Sequence, residues 1–230
     1  MIKSTPWIAK TASICPSPTA TDPPSDCAIC PRLSAFRSGN IRDYPGFFNA
    51  PVPSFGDRTG RLLVIGLAPG LKGANRSGRP FTGDFAGDLL YATLAALGFA
   101  SGNYAAAIDD GLELTDCRIT NAVRCVPPGN KPETGEIRAC NGFLAAEVAA
   151  LSRLKAMVAL GRIAHDATLT ALGHRKSAFA FAHGAKHALS PNLTLFDSYH
   201  CSRYNTNTGV LTPAMFHQVM SAAAAAARAD

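Results

Sequence analysis

Arg61-Leu-Leu-Val-Ile-Gly-Leu-Ala-Pro-Gly70 is where the sequence changes character. Leu62–Ile65 is an unbroken aliphatic run closed by Gly66, the pattern of a strand buried on both faces, and such strands belong to parallel sheets covered by helices. Working outward, Asp84–Leu97 places Leu89, Leu90, Thr93, Leu94 and Leu97 at helical spacing before Gly98, with Asp84 positioned to cap it. Cys117–Val123 reads as a second strand and Pro132–Ala150 as a helix that Lys131-Pro132 can open. Ala156–Leu160, Gly161–Leu172, Leu193–Asp197 and Thr212–Arg228 then read as strand, helix, strand and helix. Alternation of this kind is an α/β signature. Upstream, the stretch 31–60 mixes Phe36, Tyr44, Phe47, Phe48 and Phe55 with many Gly and Pro, which predicts a loop-rich wrap around the core. Residues 1–25, rich in Pro, Ser and Thr, read as a flexible arm, leaving 26–228 as one domain.

Composition narrows the function classes. With 47% hydrophobic and 17% charged residues the 230-residue chain can bury a core, so pervasive disorder is excluded. Leu144–Leu160 is interrupted by Glu147, Ser152, Arg153 and Lys155, and Ala222–Ala227 is short, so neither is a membrane span. Met1–Pro18 holds no apolar stretch of signal-peptide length, which argues against export and makes the cytoplasm the expected compartment. The net charge of +6 suits a polyanionic partner.

Seven cysteines in a reducing compartment do not suggest a disulfide framework, and metal or cluster ligation is the better reading. Cys27-Ala-Ile-Cys30 lets two thiolates converge on one centre, and Cys125 and Cys140, flanking Pro127-Pro128-Gly129, supply two more. Zinc, an iron–sulfur cluster and a chance grouping of buried thiols all fit that spacing. Cys15 lies in the arm, Cys117 in an apolar strand, and Cys201 beside His200, whose side chain diverges from it in extended chain. Gly73-Ala-Asn-Arg-Ser-Gly78-Arg79-Pro80 approaches a phosphate-cradling loop, but Arg79 and Pro80 stand where Lys and a hydroxyl are required. Its Lys72, Arg76 and Arg79 suit either a DNA backbone or a solvated basic loop.

In open parallel sheets ligands bind beyond the carboxyl ends of the strands. There stand Gly66-Leu-Ala-Pro-Gly70, Asn121-Ala-Val-Arg-Cys125 and His200-Cys-Ser-Arg-Tyr-Asn205. With Gly78-Arg-Pro-Phe-Thr-Gly-Asp84, these segments resemble the uracil-DNA glycosylase superfamily, in particular the type B (family five) members of its iron–sulfur branch, whose second segment ends in Gly-Asp as Gly83-Asp84 does here. The resemblance covers roughly residues 25–220. It implies a three-layer α/β/α sandwich around a mainly parallel four-stranded sheet, and hydrolysis of the N-glycosidic bond of uracil and other damaged bases in DNA. It also implies a [4Fe-4S] cluster on Cys27, Cys30, Cys125 and Cys140.

On matching positions Phe81 stacks on the flipped base and His200 bonds its O2, while Asn121 carries the donor and acceptor that an amide needs to read O4 and N3–H. Asp84 is the carboxylate expected to support the oxocarbenium-like sugar and orient water. Gly66, Ala68 and Gly70 line the base site: Ala68 cannot supply the polar group that sister families place there. Gly70 stands where the uracil-selective branch has a tyrosine, so a broader range including hypoxanthine is expected. Lys72, Arg76, Arg79, Arg203 and Tyr204 are the expected DNA contacts, and Cys201, in place of the usual proline, is expected to loosen the turn after His200. The protein is expected to act as a monomer on DNA containing uracil or related damaged bases, without nicking the strand. A non-catalytic nucleic-acid-binding module with a structural metal site is the alternative. A zinc deaminase lacks its H-x-E segment.

Overall fold

The computed structural model describes residues 21–229. The elements run α1 (Pro31–Asp43), β1 (Phe55–Gly56), β2 (Leu62–Gly66), α2 (Ala74–Ser77), α3 (Phe85–Ala96), β3 (Ala100–Ser101), β4 (Glu113–Leu114), β5 (Cys117–Asn121), α4 (Thr134–Ala150), β6 (Ala156–Leu160), α5 (Arg162–Ala171), β7 (Lys186–Ser190), β8 (Leu193–Ser198), α6 (Arg203–Asn207) and α7 (Pro213–Arg228). The main sheet is ordered β1-β5-β2-β6-β8-β7. Its four inner strands pair in parallel, with Leu62 opposite Cys117 and Ala156, and Ala156 opposite Thr194. These are the four strands expected from the aliphatic runs. The sheet is nevertheless six-stranded, because β1 and β7 add antiparallel edges. β1 is two residues long, and β7 alternates exposed and half-buried residues, so neither carries an aliphatic run to betray it.

Alternation along the inner strands builds the layers. Leu62, Val64, Ala156 and Val158 face α3 and α7, whereas Leu63, Ile65, Met157 and Ala159 face α4 and α5. The α/β/α sandwich is therefore as expected. Helix starts follow their caps: Asp84 accepts from Gly87 N at 3.1 Å, Thr212 from Met215 N at 3.2 Å, and Glu133 forms a reciprocal box with Glu136.

Two expectations about the N-terminal region change. The stretch 31–60 opens with a 13-residue helix, α1, started by Pro31 at its first turn. Its buried face holds Leu33, Arg37 and Asn40, and the two polar members hide it from a search for apolar periodicity. The arm boundary at residue 25 also falls inside placed structure: Asp22 accepts from Ser54 N at 2.9 Å and pairs with Arg124 at 2.7 Å. The rest of the expected arm, with Cys15, lies outside the described residues.

Candidate active site

The carboxyl ends of the inner strands deliver Gly66 and Asn121 side by side, paired across β2 and β5. The chain leaving β8 brings His200 to the same edge, and the loop between α2 and α3 brings Phe81 and Asp84. Together with Ala68, Gly70, Ala74 and Ala86, four of these (Phe81, Asp84, Asn121 and His200) line one pocket. Gly66, expected in the base site, is not among the lining residues but sits behind two of them: a Cβ there would come within 2.3 Å of Asn121 Oδ1 and 2.5 Å of the Phe81 ring, so only glycine lets amide and ring approach this closely.

The Phe81 and His200 rings are near parallel, 27° apart, with centroids 6.0 Å apart. Phe81 has φ +52°, a left-handed backbone rare for a bulky residue, and its surroundings enforce it. Its carbonyl accepts from the Tyr104 hydroxyl at 3.2 Å, and that of Pro80 from the Tyr91 hydroxyl at 2.6 Å. Asp84 divides its oxygens: Oδ1 caps α3, whereas Oδ2 lies toward Gly70 and Gly73, where a Cβ on Gly73 would meet it at 2.5 Å. Burial pushes the Asp84 carboxyl up from its ordinary range, against hydrogen bonds from the Gly87 and Ala86 backbone. Burial also pushes the His200 imidazole down to about 4, so the ring is neutral at pH 7.

The pocket opens into a larger groove that shares Ala68, Gly70, Asp84, Ala86 and His200 with it. Lys72 and Arg203 line the groove, and Arg76 is exposed on α2. Arg203 stacks its guanidinium over Phe85 at 5.4 Å, and Tyr204 is 75% exposed. Arg79 is not with them. It is buried, bonded bidentately to Asp110 at 2.7 and 2.8 Å and to Thr82 Oγ1 at 2.7 Å, with the Phe55, Tyr91 and Tyr104 rings around it. It cannot reach a phosphate, and its expected DNA contact is withdrawn. The turn after His200 is not loose either: Asn205 Nδ2 donates to the His200 carbonyl at 2.8 Å. Cys201 is buried, its thiol pushed up to about 12 by burial.

Cys27, Cys30, Cys125 and Cys140 meet around a second pocket, walled by Leu33, Val123 and Phe143. Two buried guanidiniums accompany them. Arg37 Nη1 donates to Cys125 Sγ at 3.5 Å, and Arg124, whose charge acts on Cys140, has a buried Nε without a hydrogen-bond partner among the described residues.

Sequence reading did not find Asn130, which lines the groove, or a buried trio on the α5 face. In the trio Asp197 bonds His165 at 2.7 Å through one oxygen and His187 at 2.9 Å through the other. Each oxygen serves a different imidazole, so the two contacts tie β7 and α5 to β8. No spacing in the sequence signals it, because its members join only through the sheet.

A parallel α/β/α sandwich holding an amide, a carboxyl, an imidazole and an aromatic plate at the carboxyl edge of its strands defines an enzyme-like ligand-binding protein. The chain belongs to the uracil DNA glycosylase superfamily, whose family profile matches residues 53–224. A Type-5 uracil-DNA glycosylase of Thermus thermophilus is 47% identical over 199 residues, covering 84% of this chain and 90% of that protein. One from Pyrobaculum aerophilum is 40% identical over 204 residues, covering 87% and 88%. A Type-4 uracil-DNA glycosylase of Sulfurisphaera tokodaii is 30% identical over 162 residues, covering 68% and 67%.

Proposed function

We propose that the protein is a monofunctional uracil-DNA glycosylase that initiates repair by releasing uracil, and further deaminated bases such as hypoxanthine, from DNA. One observation carries the reading: Phe81, Asp84, Asn121 and His200, from separate segments, line a single pocket. A base inside a duplex stack is out of reach, so the nucleotide is extruded into that pocket. The Phe81 ring provides the stacking face. The Asn121 amide reads the O4 and N3–H edge. Neutral His200 donates a hydrogen bond to O2 as negative charge develops on the leaving base. Asp84 Oδ2 faces the sugar, where it stabilises the cationic anomeric centre and orients water. The Ala68 methyl offers no alternative group. Gly70 leaves the pocket without a bulky wall, which supports the wider substrate range. Lys72 lies on the outer groove rather than in the pocket, consistent with hydrolysis without a lysine adduct.

The four-cysteine pocket fits a [4Fe-4S] cluster. A tetrahedral zinc with 2.3 Å bonds would hold its sulfurs about 3.8 Å apart. Among the described residues, only His165, His187 and Asp197 bring three potential ligand atoms all within 4.8 Å of one another, so the cysteine sulfurs are spread more widely than one zinc requires. The guanidiniums of Arg37 and Arg124 suit the negative charge of a thiolate-bound cluster. When bound, the cluster supplies a structural cross-link between the α1 region and the segment after β5.

Base release from a uracil-containing oligonucleotide by the wild type, Asp84→Ala, Asn121→Ala and His200→Ala tests the function. Loss in all three variants is expected. Full activity in Asp84→Ala would remove that carboxyl from the mechanism, and uracil-only excision across a lesion panel would refute the wider range.

A further inference from the structure

We infer that Asn130 is a DNA-backbone contact, supplied by the segment between Cys125 and Cys140, that holds the phosphates flanking the extruded nucleotide. The inference rests on the glycosylase reading and adds a contact that none of the four motifs contains.

Asn130 reaches the groove from an element unrelated to the other walls, facing a space bounded by Lys72, Asp84, His200 and Arg203. Its position is built rather than accidental. Gly129 and Asn130 have φ of +59° and +58°, consecutive left-handed residues that turn the segment toward the groove. Asn is among the few side chains that tolerate such a backbone. The turn is fixed on both sides: Asn130 N bonds Pro127 O at 3.1 Å, Lys131 N bonds Pro128 O at 3.2 Å, and Arg32 Nη2 from α1 bonds Lys131 O at 3.1 Å. The Asn130 N–H is thus engaged within the turn. Its exposed side-chain amide has no hydrogen-bond partner among the described residues.

The chemistry of the groove selects the ligand. Lys72 and Arg203 are cationic donors, and the amide of Asn130 adds a neutral donor with fixed placement. Such donors position a nucleic-acid backbone without reading sequence. A neutral donor releases no counterion, so its contribution differs from that of Lys72 in salt dependence.

The test measures binding of the full-length protein to a duplex with a stable abasic analogue, and base release from the matching uracil duplex, for Asn130→Gly and Asn130→Ala. Glycine removes the amide yet suits a positive φ, whereas alanine removes it and strains the turn. Both variants are expected to bind about tenfold more weakly, the loss of one hydrogen bond to a charged group. The loss should appear in Kd and kcat/KM rather than in the saturating rate, with the salt slope unchanged. Wild-type affinity in Asn130→Gly, whatever Asn130→Ala does, would overturn the inference, because the backbone turn alone would then suffice. If the wild type binds the abasic duplex but releases no uracil, the glycosylase reading fails, while the binding comparison still judges Asn130.

Discussion

Asp110→Asn tests whether the buried Arg79–Asp110 pair holds the base-stacking loop in place. Both side chains are buried, Asp110 also accepts from Ala105 N at 2.9 Å and Leu112 N at 3.1 Å, and Arg79 grips Thr82 in the loop that carries Phe81 and Asp84. The substitution leaves a guanidinium buried among rings without its counter-charge, a loss of about 3–5 kcal/mol. Each kcal/mol lowers Tm by about 2–4 °C in a protein of this size, so a fall of roughly 6–20 °C is expected. Loosening of the loop also removes some or all of the base stacking by Phe81, worth about 1–3 kcal/mol, or roughly 5- to 150-fold in base release. The Arg79 hydrogen bond holds the Asp110 carboxyl well below the usual carboxylate range. Because that folded-state pKa is depressed, the pair's stabilisation is present above the unfolded value of about 3.9 and is lost as pH falls through the folded one. The Asn variant should lack that dependence. Thermal unfolding across pH, with single-turnover base release measured well below the variant's Tm, supplies both readouts. An unchanged Tm would refute the stability argument, and a lowered Tm with wild-type base release would show that the pair does not position Phe81.

Three further outcomes follow from the same contacts. Lys72→Ala and Arg203→Ala should each reduce the slope of log affinity against log salt by about 0.9, whereas Arg79→Lys should leave it unchanged because that group meets no phosphate. The purified wild type should show broad visible absorption and bound iron and Cys140→Ala should lose both; a colourless, iron-free wild type would refute the proposed cluster, and retained cluster in the variant would exclude Cys140 as a ligand. Base release should fall on acidification at a pH above the ordinary Asp range, since burial raises the Asp84 carboxyl and the proposed mechanism uses its anion. A profile flat down to pH 4 would contradict that role.

The parallel core and the pocket were legible for one physical reason. A strand buried on both faces is mostly apolar, as Leu62–Ile65 and Ala156–Leu160 are, and the residues beyond its carboxyl end are drawn together by the sheet whatever their separation in sequence. That is why Asn121 and His200, 79 positions apart, read as neighbours. What could not be read depends on contacts that leave no period. Arg79 looks like a phosphate ligand in a basic loop, and only Asp110, Thr82 and three rings make it a buried brace. α1 escapes because Arg37 and Asn40 occupy its inner face, the first turned toward thiols and the second with its main-chain carbonyl accepting from Asn49 Nδ2. Asn130 shows itself only once its turn is placed beside a groove whose other walls come from elsewhere.

One desolvated pocket shifts Asp84 and His200 in opposite directions, and the sign of each shift favours its neutral form. Such a pocket disfavours charge in the resting enzyme, yet in the proposed mechanism bond cleavage creates positive charge at one place and negative charge at the other. On that mechanism a cationic sugar forms before Asp84 Oδ2, and an anionic base forms before the neutral donor His200. The interactions are therefore stronger in the transition state than with bound substrate, which is the condition for raising the rate rather than merely tightening binding. The asymmetry can be measured without turnover. A duplex carrying a cationic pyrrolidine in place of the deoxyribose should bind the wild type at least about tenfold more tightly than the same duplex with neutral tetrahydrofuran, a difference of about 1.4 kcal/mol. In Asp84→Asn, which keeps the side-chain oxygen that caps α3, that preference should disappear while affinity for the neutral duplex is retained. Equal preference for the cation in wild type and variant would place the stabilising charge somewhere other than Asp84.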